Sequence, residues 1–183
     1  MVVLCQQGKR IQENIGLVAD GAKTIDGGSL KGAKSQRRYD PVSKTNSQSS
    51  QTNPKVTLLM GTYNRPDYLR EAIQSVVNQT MPDWELILMN DGGVDVRDVV
   101  SQFDDCRIQY YHDPVNRGFA FRLNEGLKRA AGEYIAYLGD DDLYYPNHFE
   151  VLSKALDENP DIGAVYSDLY AVQFNTVQGM SGL

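Results

Sequence analysis

Between Lys55 and Tyr166 five short apolar runs alternate with stretches of helical spacing, and this alternation restricts the fold more than any other feature of the chain. The runs are Val56 to Met60, Trp84 to Met89, Ile108 to Tyr111, Tyr134 to Leu138 and Ile162 to Tyr166. Each has the length of a strand, and strands that are apolar throughout are covered on both faces. Between the first two, Leu69, Ala72, Ile73, Val76 and Val77 follow the i, i+3, i+4, i+7, i+8 pattern of one helix face, with Asp67 placed to cap it and Gln79 to Pro82 to end it. Val94 to Phe103 reads as a second helix. Phe119 to Ala131 reads as a third, with Phe119, Leu123 and Leu127 on one stripe and Gly132 as its stop. Pro146 to Glu158 reads as a fourth. Repeated strand–helix–strand units predict an α/β domain with a mostly parallel sheet flanked by helices. Right-handed crossovers then bring every strand-to-helix loop to one edge of that sheet.

That edge collects the chemistry. Asp140, Asp141 and Asp142 follow the fourth run directly, and three adjacent carboxylates repel unless something holds them there. Open α/β sheets bind ligands outside the carboxyl ends of their strands, and Mg²⁺ is commonly held by one or two carboxylates plus substrate phosphate oxygens. The cluster therefore reads as a metal and phosphate site, against the alternative of a solvated acidic turn. Gly61-Thr62-Tyr63-Asn64-Arg65 follows the first run and Asn90-Asp91-Gly92-Gly93 the second. Asp91 is free in this reading to accept hydrogen bonds from a base or ribose, although Asp-Gly alone also marks an ordinary turn. Tyr63 is placed to stack on a base or simply to pack. Arg117 and Arg122 offer cations to a diphosphate, since guanidinium matches phosphate with paired donors. The other reading of Arg122 is a solvated helix-face residue.

Composition divides the chain. Residues 1 to 54 carry a charge of +4 and the rest −10, and only Tyr39 of the 17 aromatic residues lies in the first stretch. Such a segment reads as a disordered tail or linker, with Ile11 to Val18 its one candidate for a short helix or strand. The 129 residues from Lys55 suffice for one compact domain. An acidic domain argues against nucleic acid as a partner. No run approaches the length of a membrane span, and two cysteines, Cys5 and Cys106, support neither a disulfide framework nor a zinc site. A cytoplasmic location follows, with the basic tail leaving peripheral contact with an anionic membrane open.

Six motifs in order carry a family resemblance: Val56 to Arg65, Ser75 to Thr80, Glu85 to Gly93, Asn116-Arg117-Gly118, Asn124-Glu125-Gly126 and Gly132 to Asp142. From about Pro54 to Asp168 the chain resembles the family 2 glycosyltransferases of the GT-A, Rossmann-like fold. The resemblance implies a nucleotide-diphosphate-sugar donor, usually a UDP- or dTDP-sugar, bound through Mn²⁺ or Mg²⁺, and transfer to an acceptor hydroxyl with inversion. It implies donor contacts from Thr62, Tyr63, Asn64, Arg65, Asp91, Arg117, Arg122 and Asp140. Tyr63 and Asp91 would meet the base, Asp140 the ribose or sugar, and Asp141 with Asp142 the metal in a DXD-like motif.

Two departures stand out. Asn90-Asp91-Gly92-Gly93 replaces the family's usual Asp-Asp-Gly-Ser, and Gly139 stands where the acidic motif often opens with Asp. The second leaves open whether Asp140 or Asp142 accompanies Asp141. The family's general base comes later in sequence than Asp168, which predicts a donor-binding half whose base lies beyond Leu183. The acceptor, whether saccharide, lipid or protein, is not legible. A non-catalytic nucleotide-sugar-binding fragment is the alternative. A nucleotidyltransferase is a further one, although Gly61 to Arg65 lacks the Gly-rich basic character that triphosphate binding favours.

Overall fold

The computed structural model describes residues 2–6 and 53–171, the first five by backbone alone. Six strands form a single sheet: β1 (Val2–Gln6), β2 (Val56–Thr62), β3 (Trp84–Asp91), β4 (Ile108–Asp113), β5 (Tyr134–Tyr137) and β6 (Ala164–Ser167). Their order across the sheet is β4-β3-β2-β5-β1-β6. β2 is parallel to β3 and β5, and β3 is parallel to β4, so the expected parallel block is present with β2 inside it.

β1 departs from the expectation. Residues 1 to 54 read as a tail outside the fold, yet Val2–Gln6 lies within the sheet, antiparallel to β5 on one side and to β6 on the other. The reason is local. A polar average over the whole stretch hides one short run, Val2-Val3-Leu4-Cys5, whose β-branched and apolar residues suit a pleated interior position. Ile11 to Val18 lies outside the described residues.

Among the described residues four helices connect the strands: α1 (Pro66–Val77), α2 (Arg97–Val100, continued by a 3₁₀ turn at Ser101–Phe103), α3 (Phe119–Leu127) and α4 (His148–Glu158). α1 buries Leu69, Ala72, Ile73 and Val76, the residues its periodicity selected. Together with Phe149, Leu152 and Leu156 of α4 they cover the sheet face of Val56, Leu58, Met60 and Leu86. The opposite face, Leu59, Ile87, Met89 and Ile135, receives Leu123 and Leu127 of α3. Leu58, Leu86 and Ile87 are fully buried, and each such side chain contributes about 1.5–3 kcal/mol.

The helix ends differ from the sequence pattern for identifiable reasons. Asp67 does not cap α1: Arg65 holds the N-cap position, Pro66 follows it, and Asp67 lies in the first turn, where a carboxylate favours the helix dipole. The expected Val94–Phe103 helix is shortened because the Asp95 carboxylate accepts the Arg97 amide at 3.0 Å, and because Asn64 and Asn90 hold the Val94 backbone. α3 stops at Leu127 rather than Ala131. Gly132 serves close packing, since a Cβ there would lie 2.4 Å from the Thr57 nitrogen. α4 opens two residues after Pro146. Phe119, expected on the apolar stripe of α3, is exposed, and the buried positions of that helix are Arg122 and Gly126. Among the described residues no helix is long and apolar enough to cross a membrane.

Candidate active site

The parallel block aligns the carboxyl ends of β2, β3, β4 and β5 along one edge, and two polar clusters form there. The first joins the loops after β2 and β5. The buried Thr62 hydroxyl, at the last residue of β2, donates to Asp140 Oδ2 at 2.8 Å. Asp140 is itself buried, so its carboxylate is fixed before any ligand arrives. Arg65 extends from the α1 N-cap across to the same loop, with Nη1 2.6 Å from Asp141 Oδ2 and 3.6 Å from Asp140 Oδ1. Asp141 and Asp142 are exposed.

The glycine at 139 has a geometric reason. A Cβ on it would meet Asp141 Oδ1 at 2.9 Å and Asp142 Oδ2 at 3.1 Å, so one oxygen from each carboxylate faces the same small space above the bare Cα. Those two acids converge, and an Asp at 139 would fill the cradle they make. Among the described residues no three His, Cys, Asp or Glu side chains gather as a complete ligand set. Two converging carboxylates that need further oxygens from a substrate are the set Mg²⁺ usually takes.

The second cluster joins the ends of β3 and β4 to α3. Asp91 and Asp113 are paired residues at the carboxyl ends of those strands. Arg122, on the first turn of α3, lies between them: Nε donates to Asp91 Oδ1 at 2.7 Å, and Nη2 reaches Asp113 Oδ2 and the Val115 carbonyl. The Arg117 and Gly118 amides donate to Asp91 Oδ1 and Oδ2 at 2.8 and 2.7 Å. Burial pushes the Asp91 carboxyl upward, but these two amides and the Arg122 guanidinium outweigh it and leave its pKa below the ordinary value. Burial likewise acts to lower the Arg122 pKa, and the two carboxylates more than reverse it. Gly92 makes the approach possible: its φ is +80°, and a Cβ there would fall 2.4 Å from the Asn116 nitrogen.

The clusters are tied together by two asparagines. Asn64, at φ 56°, accepts the Val94 amide on Oδ1 at 2.8 Å. Asn90 donates to the Val94 carbonyl at 2.7 Å and to the Tyr110 hydroxyl at 3.1 Å, and accepts the Gly93 amide at 3.1 Å. Its NH₂ group is what a carboxylate lacks, which explains Asn at this position.

Of the residues the sequence singled out, Thr62, Arg65, Asp140 and Asp141 come together, with Asp142 beside them. Tyr63 is about half exposed. Arg117 is also about half exposed, with its guanidinium 5.1 Å from the centre of the Phe121 ring. Asn64 faces a backbone amide. Arg122 is neither solvated nor open to a diphosphate, because two acids and a carbonyl enclose it, and Asp91 is largely occupied by the loop it organises. Asp113 lies two residues beyond Tyr111, where the apolar run that predicts its strand ends. What reveals it is the register of β4 on β3, a property of the folded sheet, which makes Asp113 the partner of Asp91.

Comparison with known proteins bears on the family and the fold. The family model for glycosyl transferase family 2 matches residues 57–178. Protein CgeD of Bacillus subtilis (strain 168) is 36% identical over 130 residues, 66% of this chain and 30% of CgeD. An uncharacterized glycosyltransferase of Rickettsia bellii (strain RML369-C) is 39% identical over 107 residues, 57% of this chain and 15% of that protein. The chain thus spans less than a third of the length of these curated relatives. Among solved structures, S. aureus TarS 1–349 matches with a TM-score of 0.55 at 22% identity, covering 58% of this chain and 33% of TarS 1–349. The same TarS segment has been solved with UDP and, at a TM-score of 0.52, with UDP-GlcNAc. The shared architecture is the GT-A fold.

Proposed function

Because the chain belongs to glycosyl transferase family 2, we propose that the described domain binds the nucleoside diphosphate of a sugar donor, a UDP- or dTDP-sugar, and that the protein transfers the sugar to an acceptor hydroxyl with inversion. The observation that carries this reading is the junction of the β2 and β5 loops, where Thr62 fixes Asp140 and where Asp141 and Asp142 converge over Gly139. Asp141 and Asp142 would hold a divalent cation, Mn²⁺ or Mg²⁺, which when bound neutralises the leaving diphosphate. Asp140, locked by Thr62, accepts a ribose or sugar hydroxyl on Oδ1. Tyr63 offers an exposed ring to the base. Asp91 Oδ2, which among the described residues has the Gly118 amide as its one hydrogen-bond donor, keeps a lone pair for a base N–H. Arg117 stands by the edge as a cation for the diphosphate.

In this reading Arg122 does not touch the donor: it orients Asp91 and the 115–118 loop. Inverting transfer needs one base at the acceptor hydroxyl. We place that base outside residues 53–171, with the acceptor surface. The test is calorimetry of UDP binding to this chain with Mn²⁺ and with EDTA, for the wild type and Asp141→Ala. Metal-dependent affinity in the wild type that disappears in the variant supports the reading. Equal affinity in all four titrations overturns it.

A further inference from the structure

We propose that Arg65 is the resident counter-ion of Asp141 and couples divalent-cation binding to nucleotide binding, because the cation and the guanidinium compete for the same carboxylate. This rests on the metal and diphosphate reading above and assigns to Arg65 a role that reading does not require. Arg65 occupies the N-cap of α1 but makes no side-chain cap there. Its guanidinium instead crosses to the β5 loop and takes Asp141 Oδ2 at 2.6 Å, with Asp140 Oδ1 at 3.6 Å.

The two acids differ in what they can give up. Asp140 is buried and anchored by Thr62. Asp141 is about half exposed, and Arg65 is its one described ion-pair partner. The other Asp141 oxygen turns toward the Gly139 cradle with Asp142. A divalent cation held there draws on the carboxylate that Arg65 already neutralises, and it repels the guanidinium at close range. Bound alone, the cation is therefore weakened by Arg65.

A diphosphate changes the balance. Guanidinium pairs with phosphate through two parallel hydrogen bonds, so a nucleotide at this edge draws Arg65 off Asp141 and frees that carboxylate for the cation. Coupling of this kind is reciprocal: whatever factor nucleotide adds to metal affinity, metal adds to nucleotide affinity. The role is one of positioning and charge exchange rather than of contact with reacting atoms.

The experiment measures Mn²⁺ binding to the 183-residue chain by calorimetry and electron paramagnetic resonance, with and without saturating UDP, for the wild type, Arg65→Gln and Arg65→Lys. Without UDP, Arg65→Gln is expected to bind Mn²⁺ about three- to tenfold more tightly than the wild type, the scale of removing one exposed ion pair and its repulsion. Arg65→Lys, which keeps the charge, stays within about twofold of the wild type. With Arg65→Gln the enhancement of Mn²⁺ affinity by UDP shrinks. A site that had merely been damaged would bind metal more weakly, so the direction of change is diagnostic. Unchanged or weaker Mn²⁺ binding by an Arg65→Gln chain with the wild-type melting temperature overturns the proposal. If wild-type chain binds no Mn²⁺ even with UDP, the metal reading itself fails, an outcome distinct from failure of the Arg65 role.

Discussion

Arg122→Met is the sharpest test of how this edge is built. The substitution keeps the length and apolar stem of the side chain while removing the guanidinium that bridges two buried carboxylates. Side-chain exposure is 4% for Arg122, 9% for Asp91 and 6% for Asp113, so solvent screening does little for them. Breaking a buried ion pair by removing one partner costs about 3–5 kcal/mol, because a charge is left uncompensated. Here two like charges remain on adjacent strands, about 4.8 Å apart in the hydrogen-bonding direction. Three backbone amides soften the loss, two on Asp91 and the Val115 amide on Asp113 Oδ1, and the half-exposed Arg117 guanidinium stays 3.7 Å from Asp113 Oδ2. The expected cost is therefore about 3 kcal/mol at pH 7, read as the change in unfolding free energy from urea denaturation.

The pH dependence gives a second, independent readout. In the wild type the folded Asp91 pKa lies below its ordinary value, so its stabilisation is present above the unfolded pKa and is lost as pH falls through the folded one. In Arg122→Met the carboxylate pair repels and at least one folded pKa rises. Stability of the variant then increases as pH falls from neutral through that raised value, because protonation relieves the repulsion. The gap between variant and wild type is widest near pH 7 and closes toward pH 4. Adding Asp113→Asn to the variant removes one of the two repelling charges and recovers about 1 kcal/mol or more, within the usual range for directly coupled groups. A loss below about 1 kcal/mol that does not change with pH would refute the reasoning, since exposed and screened pairs behave in that way.

Three further outcomes test the remaining elements. Asp141→Ala removes the metal-dependent part of UDP affinity, on the order of several kcal/mol by calorimetry, while its melting temperature stays near that of the wild type because Asp141 is exposed. Asn90→Asp deletes two donated hydrogen bonds and sets a buried carboxylate against the Val94 carbonyl, costing about 1–3 kcal/mol in thermal unfolding; an unchanged midpoint would show that the amide is not needed. Deleting residues 1–6 exposes one edge of β5 and removes the partner of β6, so amide exchange at Tyr134–Tyr137 and Ala164–Ser167 accelerates relative to Leu58–Met60 in β2; unchanged protection would show that β1 does not hold this half of the sheet.

The parallel block was legible because it rests on local signals. Five apolar runs and the α1 periodicity need no knowledge of partners, and right-handed crossovers then bring the loops to one edge without further information. The place of Asp140 to Asp142 on that edge was legible for the same reason: they are adjacent in sequence and directly follow an apolar run. β1 was not, because five residues cannot outweigh a polar stretch ten times longer when judged by average composition, and because the partners of β1 lie more than 120 residues away. Pairing at that separation is a property of the folded sheet and leaves no mark on the short segment except its β-branched residues.

Arg122 shows the limit most clearly. An arginine on a helix face has two readings in sequence, solvated or ligand-binding, and both assume that its partner is outside the protein. The choice is decided by three facts that sequence does not hold: the equal reach of β3 and β4, the turn at Gly92 that brings Asn116 against it, and the start of α3 at Phe119. Together they convert a cation expected to serve the diphosphate into the brace that fixes Asp91. Arg65 follows the opposite course, since its guanidinium remains half exposed beside acids that a ligand can reach. The two arginines differ in what surrounds them rather than in chemistry, and the burial of their partners determines which can exchange a carboxylate for a phosphate. Asp91 and Asp113 cannot be given up without the cost worked above, whereas Asp141 can, and for that reason ligand exchange is expected at the β5 loop and not at the β3–β4 ends.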